Sequence, residues 1–213
     1  MSLQDLKKAP LTSLAGVVMV ANTDAAELKA VDELIGRITD KSAETRTQAW
    51  LGAGEVGAPA VKPLAKVMTD KDLEVARAAK RALWKIARHA GRPGARTEKT
   101  AVVAELTGLL SDDHPVSVRR EVLWMLSEIG TWRSVKPIAA LLEHKELRED
   151  ARMVLQRLPN KRAIRALKAG LKAAPRGFKL NIAQSLRQRG EKVRGLACVK
   201  LVPTKKTNVR PLE

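Results

Sequence analysis

Few residues in this 213-residue chain are of types and spacings that could do chemistry. Gly52-Ala-Gly54-Glu-Val-Gly57 matches G-x-G-x-x-G, in which free N–H groups at a helix start cradle a pyrophosphate. That geometry needs a strand before the glycines and a helix after them. Here they fall at the end of a helical pattern, where carbonyls face outward, so the motif is rejected. Cys198, the single cysteine, lies in an apolar run (Leu196-Ala-Cys-Val) without His or Asn nearby. It reads as a buried, inert thiol, and its solitude excludes a disulfide framework or Cys-cluster metal site. His89, His114 and His144 all fall in expected connections, and none belongs to a His-Glu pair. Asp112-Asp113 reads as a turn with capping potential and Glu149-Asp150 as a solvated helix face. No catalytic residue, metal ligand or cofactor is assigned.

The elements that must position any site are helical. Apolar residues make up 45% of the chain and are mostly Ala, Leu and Val, which favours helix and predicts no sheet. Five segments share one template with apolar or small residues at offsets 0, 4, 7, 8 and 11, often closed by Gly at 12. They start at Thr45, Val75, Val118, Leu147 and Phe178. Those offsets share one face of a 3.6-residue helix, and a terminal Gly suits a C-cap. A second stripe precedes each segment: Val31/Leu34/Ile38, Val61/Leu64/Met68, Val103/Leu106/Leu110, Val135/Ile138/Leu142 and Ile164/Leu167/Leu171. One helix pair cannot bury its stripe alone, so stacked pairs must build a continuous core.

With Asp40 six residues before Arg46, and Asp113 six before Arg119, this template resembles HEAT repeats over about residues 28–190. Its short spacing is similar to the phycobilisome-lyase HEAT-like subtype. The resemblance implies an all-α, right-handed α-solenoid of about five HEAT-like helix pairs with an N-terminal capping helix and an irregular C-terminal tail. It also implies an Asp–Arg ladder between repeats, which makes Arg46, Arg119 and Arg148 structural. The expected layout is one solenoid domain, 1–190, with cap 1–27 and repeats 28–57, 58–87, 98–130, 134–159 and 161–190. An inserted Gly/Pro/Arg-rich loop spans about 88–100, and a basic tail or cap occupies 191–213. Deoxyhypusine hydroxylases share this repeat type but hold di-iron through His-Glu pairs, which are missing here.

In HEAT-like arrays the second helices line a concave groove, so the resemblance points to their outward offsets. These place Arg77, Arg81, Trp84, Lys85, Arg88, Arg120, Trp124, Met153 and Arg157 on the candidate partner-binding face. Trp beside Arg suits an interface anchor, base stacking or a cation–π contact. Trp50, at offset 5, reads as packing between helices, and Trp132 lies in a turn.

Charge sharpens this picture. Net charge is +17 overall, but residues 1–70 hold 8 basic and 9 acidic residues, residues 71–157 hold 17 and 12, and residues 158–213 hold 15 and 2. The expected function is a non-enzymatic scaffold or adaptor that binds an acidic partner, foremost a protein segment, through its concave face and basic C-terminal half. The alternative is sequence-independent binding of DNA or RNA. A HEAT-like DNA glycosylase is a remote variant, since Glu121 and Glu128 are the carboxylates nearest the Trp pair. A monomer without membrane insertion is expected, cytoplasmic unless a signal peptide was removed.

Overall fold

A computed structural model describes residues 11–197, with side chains from 25 onward; Cys198 and the tail 198–213 lie outside the described residues. The described chain is all α: α1 Leu11–Ile38, α2 Ala43–Val56, α3 Val61–Val67, α4 Leu73–Ala90, α5 Arg96–Gly108, α6 Val116–Ile129, α7 Val135–Ala140, α8 Arg148–Arg157, α9 Lys161–Ala173 and α10 Arg176–Gln188. Successive antiparallel pairs stack into an all-α solenoid of two layers. The even-numbered helices pack α2 on α4, α4 on α6, α6 on α8 and α8 on α10. The first helices of the pairs pack α1 on α3, α3 on α5 and α7 on α9. No described helix is long and apolar enough to cross a membrane.

The repeat stripe is the core. Val75, Ala79, Ala82, Leu83 and Ile86 on α4 are buried, and so are Val118, Val122, Met125, Leu126 and Ile129 on α6. From the first layer Ile38, Leu64, Leu106, Ile138 and Leu167 are buried in the same continuous core. Each of the Val, Leu, Ile and Met side chains among them contributes about 1.5–3 kcal/mol by leaving water, so adjacent pairs hold one another in register. Polar residues fix where helices start. Ser42 Oγ accepts from the Thr45 N–H (3.3 Å), Asp72 Oδ1 from Glu74 (2.8 Å) and Asn160 Oδ1 from Ala163 (2.9 Å).

The glycine motif has a packing explanation. Gly57 stops α2 at φ +70°, the left-handed region that L side chains avoid. Gly54 lets α4 come close, because a Cβ there would sit 2.9 Å from His89.

Three expectations change. Residues 88–100 are not a loop: α4 runs to Ala90 and α5 begins at Arg96, so most of the insertion is helical. The extra residues extend amphipathic patterns already present, which satisfies their backbone groups more completely than a loop would. The N-terminal cap is not a separate helix, since α1 continues unbroken into the first repeat. Arg46 and Arg119 do not form an Asp–Arg ladder between repeats but make contacts inside their own repeats. Arg46 Nη1 donates to the carbonyls of Asp40 (2.7 Å) and Lys41 (2.9 Å), and buried Arg119 pairs with Asp112 rather than Asp113, at 2.8 Å. Arg148 lies over the Phe178 ring, 5.1 Å from its centroid.

The solenoid's last pair is closed by residues 191–197. Val193 packs against the core, Glu191 pairs with Lys168 (2.6 Å), and Arg187 donates to the carbonyls of Val193 and Leu196. A terminal repeat needs such cover for its open edge.

Candidate functional site

α4 supplies most of the site because its core stripe is regular. With 75, 79, 82, 83 and 86 turned inward, residues 77, 81, 84, 85 and 88 must turn outward. Together with α2 they form a cleft of about 800 Å³ lined by Trp50, Arg77, Lys80, Arg81, Trp84, Lys85, Arg88, His89 and Arg92. Five of the nine expected partner-binding residues therefore meet in one place: Arg77, Arg81, Trp84, Lys85 and Arg88.

Both indoles in this cleft are backed by guanidinium groups. Arg81 lies over Trp50, 5.8 Å from the ring centroid, and Arg88 lies over Trp84 at 5.0 Å. Trp84 and Trp50 also pack against the core, so each ring is held by apolar contact behind it. Trp84 Nε1 donates to Glu121 Oε2 on α6 at 3.2 Å, which fixes the ring plane. The Trp50 Nε1 is buried without a hydrogen-bond partner.

Carboxylates neutralise much of the charge. Arg77 pairs with Glu74 (2.6 Å), Lys80 with Glu121, and Arg88 approaches Glu128 (3.7 Å). Arg92 makes two hydrogen bonds to Glu98, at 2.6 and 2.7 Å, and His89 Nε2 lies 3.8 Å from the same carboxylate. The hydrogen bond from Arg92 is the chief reason the Glu98 carboxyl is held below the usual range, with charge attraction from Arg92 and His89 adding to it against some desolvation. Arg81 and Lys85 have no carboxylate within 4.0 Å among the described residues, and both line the cleft with the two indoles. Glu121, held by both Lys80 and Trp84, is an ion-pair acceptor and not a free base.

The other four expected residues lie elsewhere and do not line the cleft. Arg120 bridges α6 to the next repeat, donating to Asp150 Oδ2 (3.1 Å) and to the Glu146 carbonyl (3.2 Å). Trp124 and Met153 are half-buried on α6 and α8, and Arg157 is exposed at the end of α8. Four lining residues escaped the sequence reading: Trp50, Lys80, His89 and Arg92. Trp50 and Lys80 both occupy offset 5 of their repeats, so that offset also faces the cleft. His89 and Arg92 sit where a loop was expected, although 81, 85, 88 and 92 continue a helical spacing. Among the described residues no group of three or more His, Cys, Asp or Glu could hold a metal ion.

No protein-family model matches the chain, and no curated protein matches it. Among solved structures it is similar to a computationally designed armadillo repeat protein for modular peptide recognition, with 20% identity and a TM-score of 0.42, covering 78% of this chain and 84% of that one. A designed armadillo repeat protein in complex with the peptide (KR)4 gives 19% identity and a TM-score of 0.42, with the same coverage of 78% and 84%. An engineered protein gives 22% identity and a TM-score of 0.40, covering 74% and 76%. This chain is a helical-repeat solenoid.

Proposed function

We propose that this helical-repeat protein is a non-enzymatic, HEAT-like scaffold that holds a short acidic segment of a partner protein in the cleft between α2 and α4. The observation that carries the reading is the pair of cation-backed indoles, Trp50 and Trp84, in one cleft with the two uncompensated cations Arg81 and Lys85. Trp and Arg in a desolvated pocket are the residue types that dominate protein interfaces, while ion pairs at the rim add little. Such a cleft fits an apolar side chain against an indole and one or two carboxylates on the cations.

A nucleic-acid strand suits this cleft less well. Glu74, Glu98, Glu121 and Glu128 border it, and a continuous phosphate chain would have to lie against them. Arg120 and the adjacent α8 residues do not extend the track, because Asp150 and Glu149 neutralise Arg120 and Arg152 there.

Titration with short synthetic peptides, followed by Trp fluorescence, tests the reading. Peptides mixing Asp or Glu with Leu or Phe are expected to bind and shift the emission. Arg81→Glu/Lys85→Glu should weaken binding by at least about tenfold, whereas Arg120→Glu should leave it unchanged. Binding of basic peptides in preference to acidic ones, or no effect of reversing Arg81 and Lys85, would overturn it.

A further inference from the structure

Positive charge that the cleft largely neutralises stands free on the other helix layer. α5 has 13 residues, against 7 in α3 and 6 in α7, so it carries about two turns that neither first-layer neighbour matches. Along it Arg96, Lys99, Thr100, Val103 and Thr107 recur at the three- and four-residue spacing of one helix face. That face forms one wall of a groove of about 460 Å³, and Trp132 and Arg133 in the α6–α7 turn form the other. No acidic side chain lines this groove.

Trp132 links the groove to α9. Trp132 is 50% exposed, with the Arg162 guanidinium 4.0 Å and that of Arg133 5.2 Å from its ring centroid. On α9, Lys161, Arg165, Lys168 and Lys172 recur at one-face spacing, all are exposed, and the helix contains no Asp or Glu. Lys168 pairs with Glu191. Among the described residues, Arg96, Lys99, Arg133, Arg162, Arg165 and Lys172 have no carboxylate within 4.0 Å.

Uncompensated cations spread over two helices favour a long anion over a point ligand. The α9 stripe alone spans about 16 Å, from eleven residues at the helical rise. A nucleic-acid backbone supplies charge continuously over that distance, and release of its counterions drives binding. A membrane surface fits less well, because α9 buries Ala163 and Leu167, packs Ile164, Ala166 and Leu171 against the core, and exposes only the small apolar residues Ala169 and Ala173. The exposed large aliphatic side chains of the described residues are Leu28, Leu51 and Leu73, on α1, α2 and α4.

We propose that the face formed by α5, the 131–133 turn and α9 binds the phosphate backbone of nucleic acid without reading base sequence, separately from the acidic-segment cleft. Two of the groove's three threonines donate their hydroxyls at home, Thr100 to the Arg96 carbonyl and Thr107 to that of Val103, which leaves the cations to make most of the contacts.

Fluorescence anisotropy of the full chain with labelled duplex and single-stranded DNA of about 20 nucleotides, across a salt series from about 50 mM, tests this. Affinity is expected to fall steeply with salt. Lys99→Glu/Arg133→Glu/Arg165→Glu should weaken it by at least about 30-fold and flatten the salt slope by roughly the three lost contacts. Arg81→Glu/Lys85→Glu should change it less than about threefold, so failure of the cleft reading and failure of this one are distinguishable. Circular dichroism checks the fold of each variant. Should the triple reversal fail to fold, Lys99→Gln/Arg133→Gln/Arg165→Gln is measured in its place, and hydrogen exchange with DNA bound should show protection on α5 and α9. Absence of binding at low salt, unchanged affinity in the α5/α9 variants, or binding to phosphatidylserine vesicles without binding to DNA would each overturn the proposal.

Discussion

The indole N–H of Trp84 donates to the carboxylate of Glu121 across the α4–α6 interface at 3.2 Å, and the same carboxylate takes the Lys80 ammonium. One acidic side chain thus sets the plane of a cleft aromatic and removes a cation from the cleft's charge. The orientation of the candidate site and the stacking of repeats are coupled through it.

Glu121→Gln keeps an acceptor for Trp84 but frees Lys80. Unfolding in urea should show a loss of about 1 kcal/mol, typical of a half-exposed charged hydrogen bond. The freed ammonium should tighten acidic peptides, so stability and peptide affinity are expected to move in opposite directions.

Arg119 is 3% exposed, pairs with an Asp112 that is largely in solvent, and leaves its Nε without a partner. Arg119→Ala removes both packing and charge and should cost about 2–4 kcal/mol. Arg119→Met, which keeps volume and discards the buried orphan donor, should cost clearly less. Denaturant midpoints of the two variants provide the check.

Gly54→Ala places a methyl 2.9 Å from both the Cβ and the Cγ of His89, so turning the imidazole does not clear it and α2 must move off α4. A destabilisation of about 1–2 kcal/mol is expected. Pairing it with His89→Ala removes the ring but keeps the clashing Cβ, so only the ring's share of the loss should be recovered, a non-additivity readable from a double-mutant cycle.

Glu98 is held below its ordinary range, first by the hydrogen bond from Arg92. A depressed carboxyl contributes to the folded state above its unfolded value, and the contribution is lost as pH falls through the folded value. The clamp that Arg92, in the connection after α4, makes with Glu98 on α5 should therefore release only in acid. In Arg92→Gln, NMR titration of the Glu98 carboxyl should show its midpoint move upward; an unmoved midpoint would remove the assigned cause.

Much of the fold was legible because a repeat writes its core locally. Val75 through Ile86 and Val118 through Ile129 follow a period that any helix must convert into one buried stripe. The outward positions Arg77, Arg81, Trp84, Lys85 and Arg88 follow from that stripe by elimination. Trp50 and Lys80 were less visible, since offset 5 borders the stripe and its exposure depends on how closely the neighbouring helix approaches. Gly54 permits that approach, and the sequence motif it belongs to suggests a different use.

The sequence by itself determined an all-α repeat, its buried positions and the gradient of charge along the chain, since these depend on residue type and on neighbours within a few turns. Tertiary structure alone decided which charges remain free. Lys80 meets Glu121 across 41 residues and Arg120 meets Asp150 across 30, while Arg162 reaches Trp132 and leaves an uncompensated basic face beside α5. Salt screens charges over about 10 Å, so pairing depends on which helices stack closely, and composition does not record that.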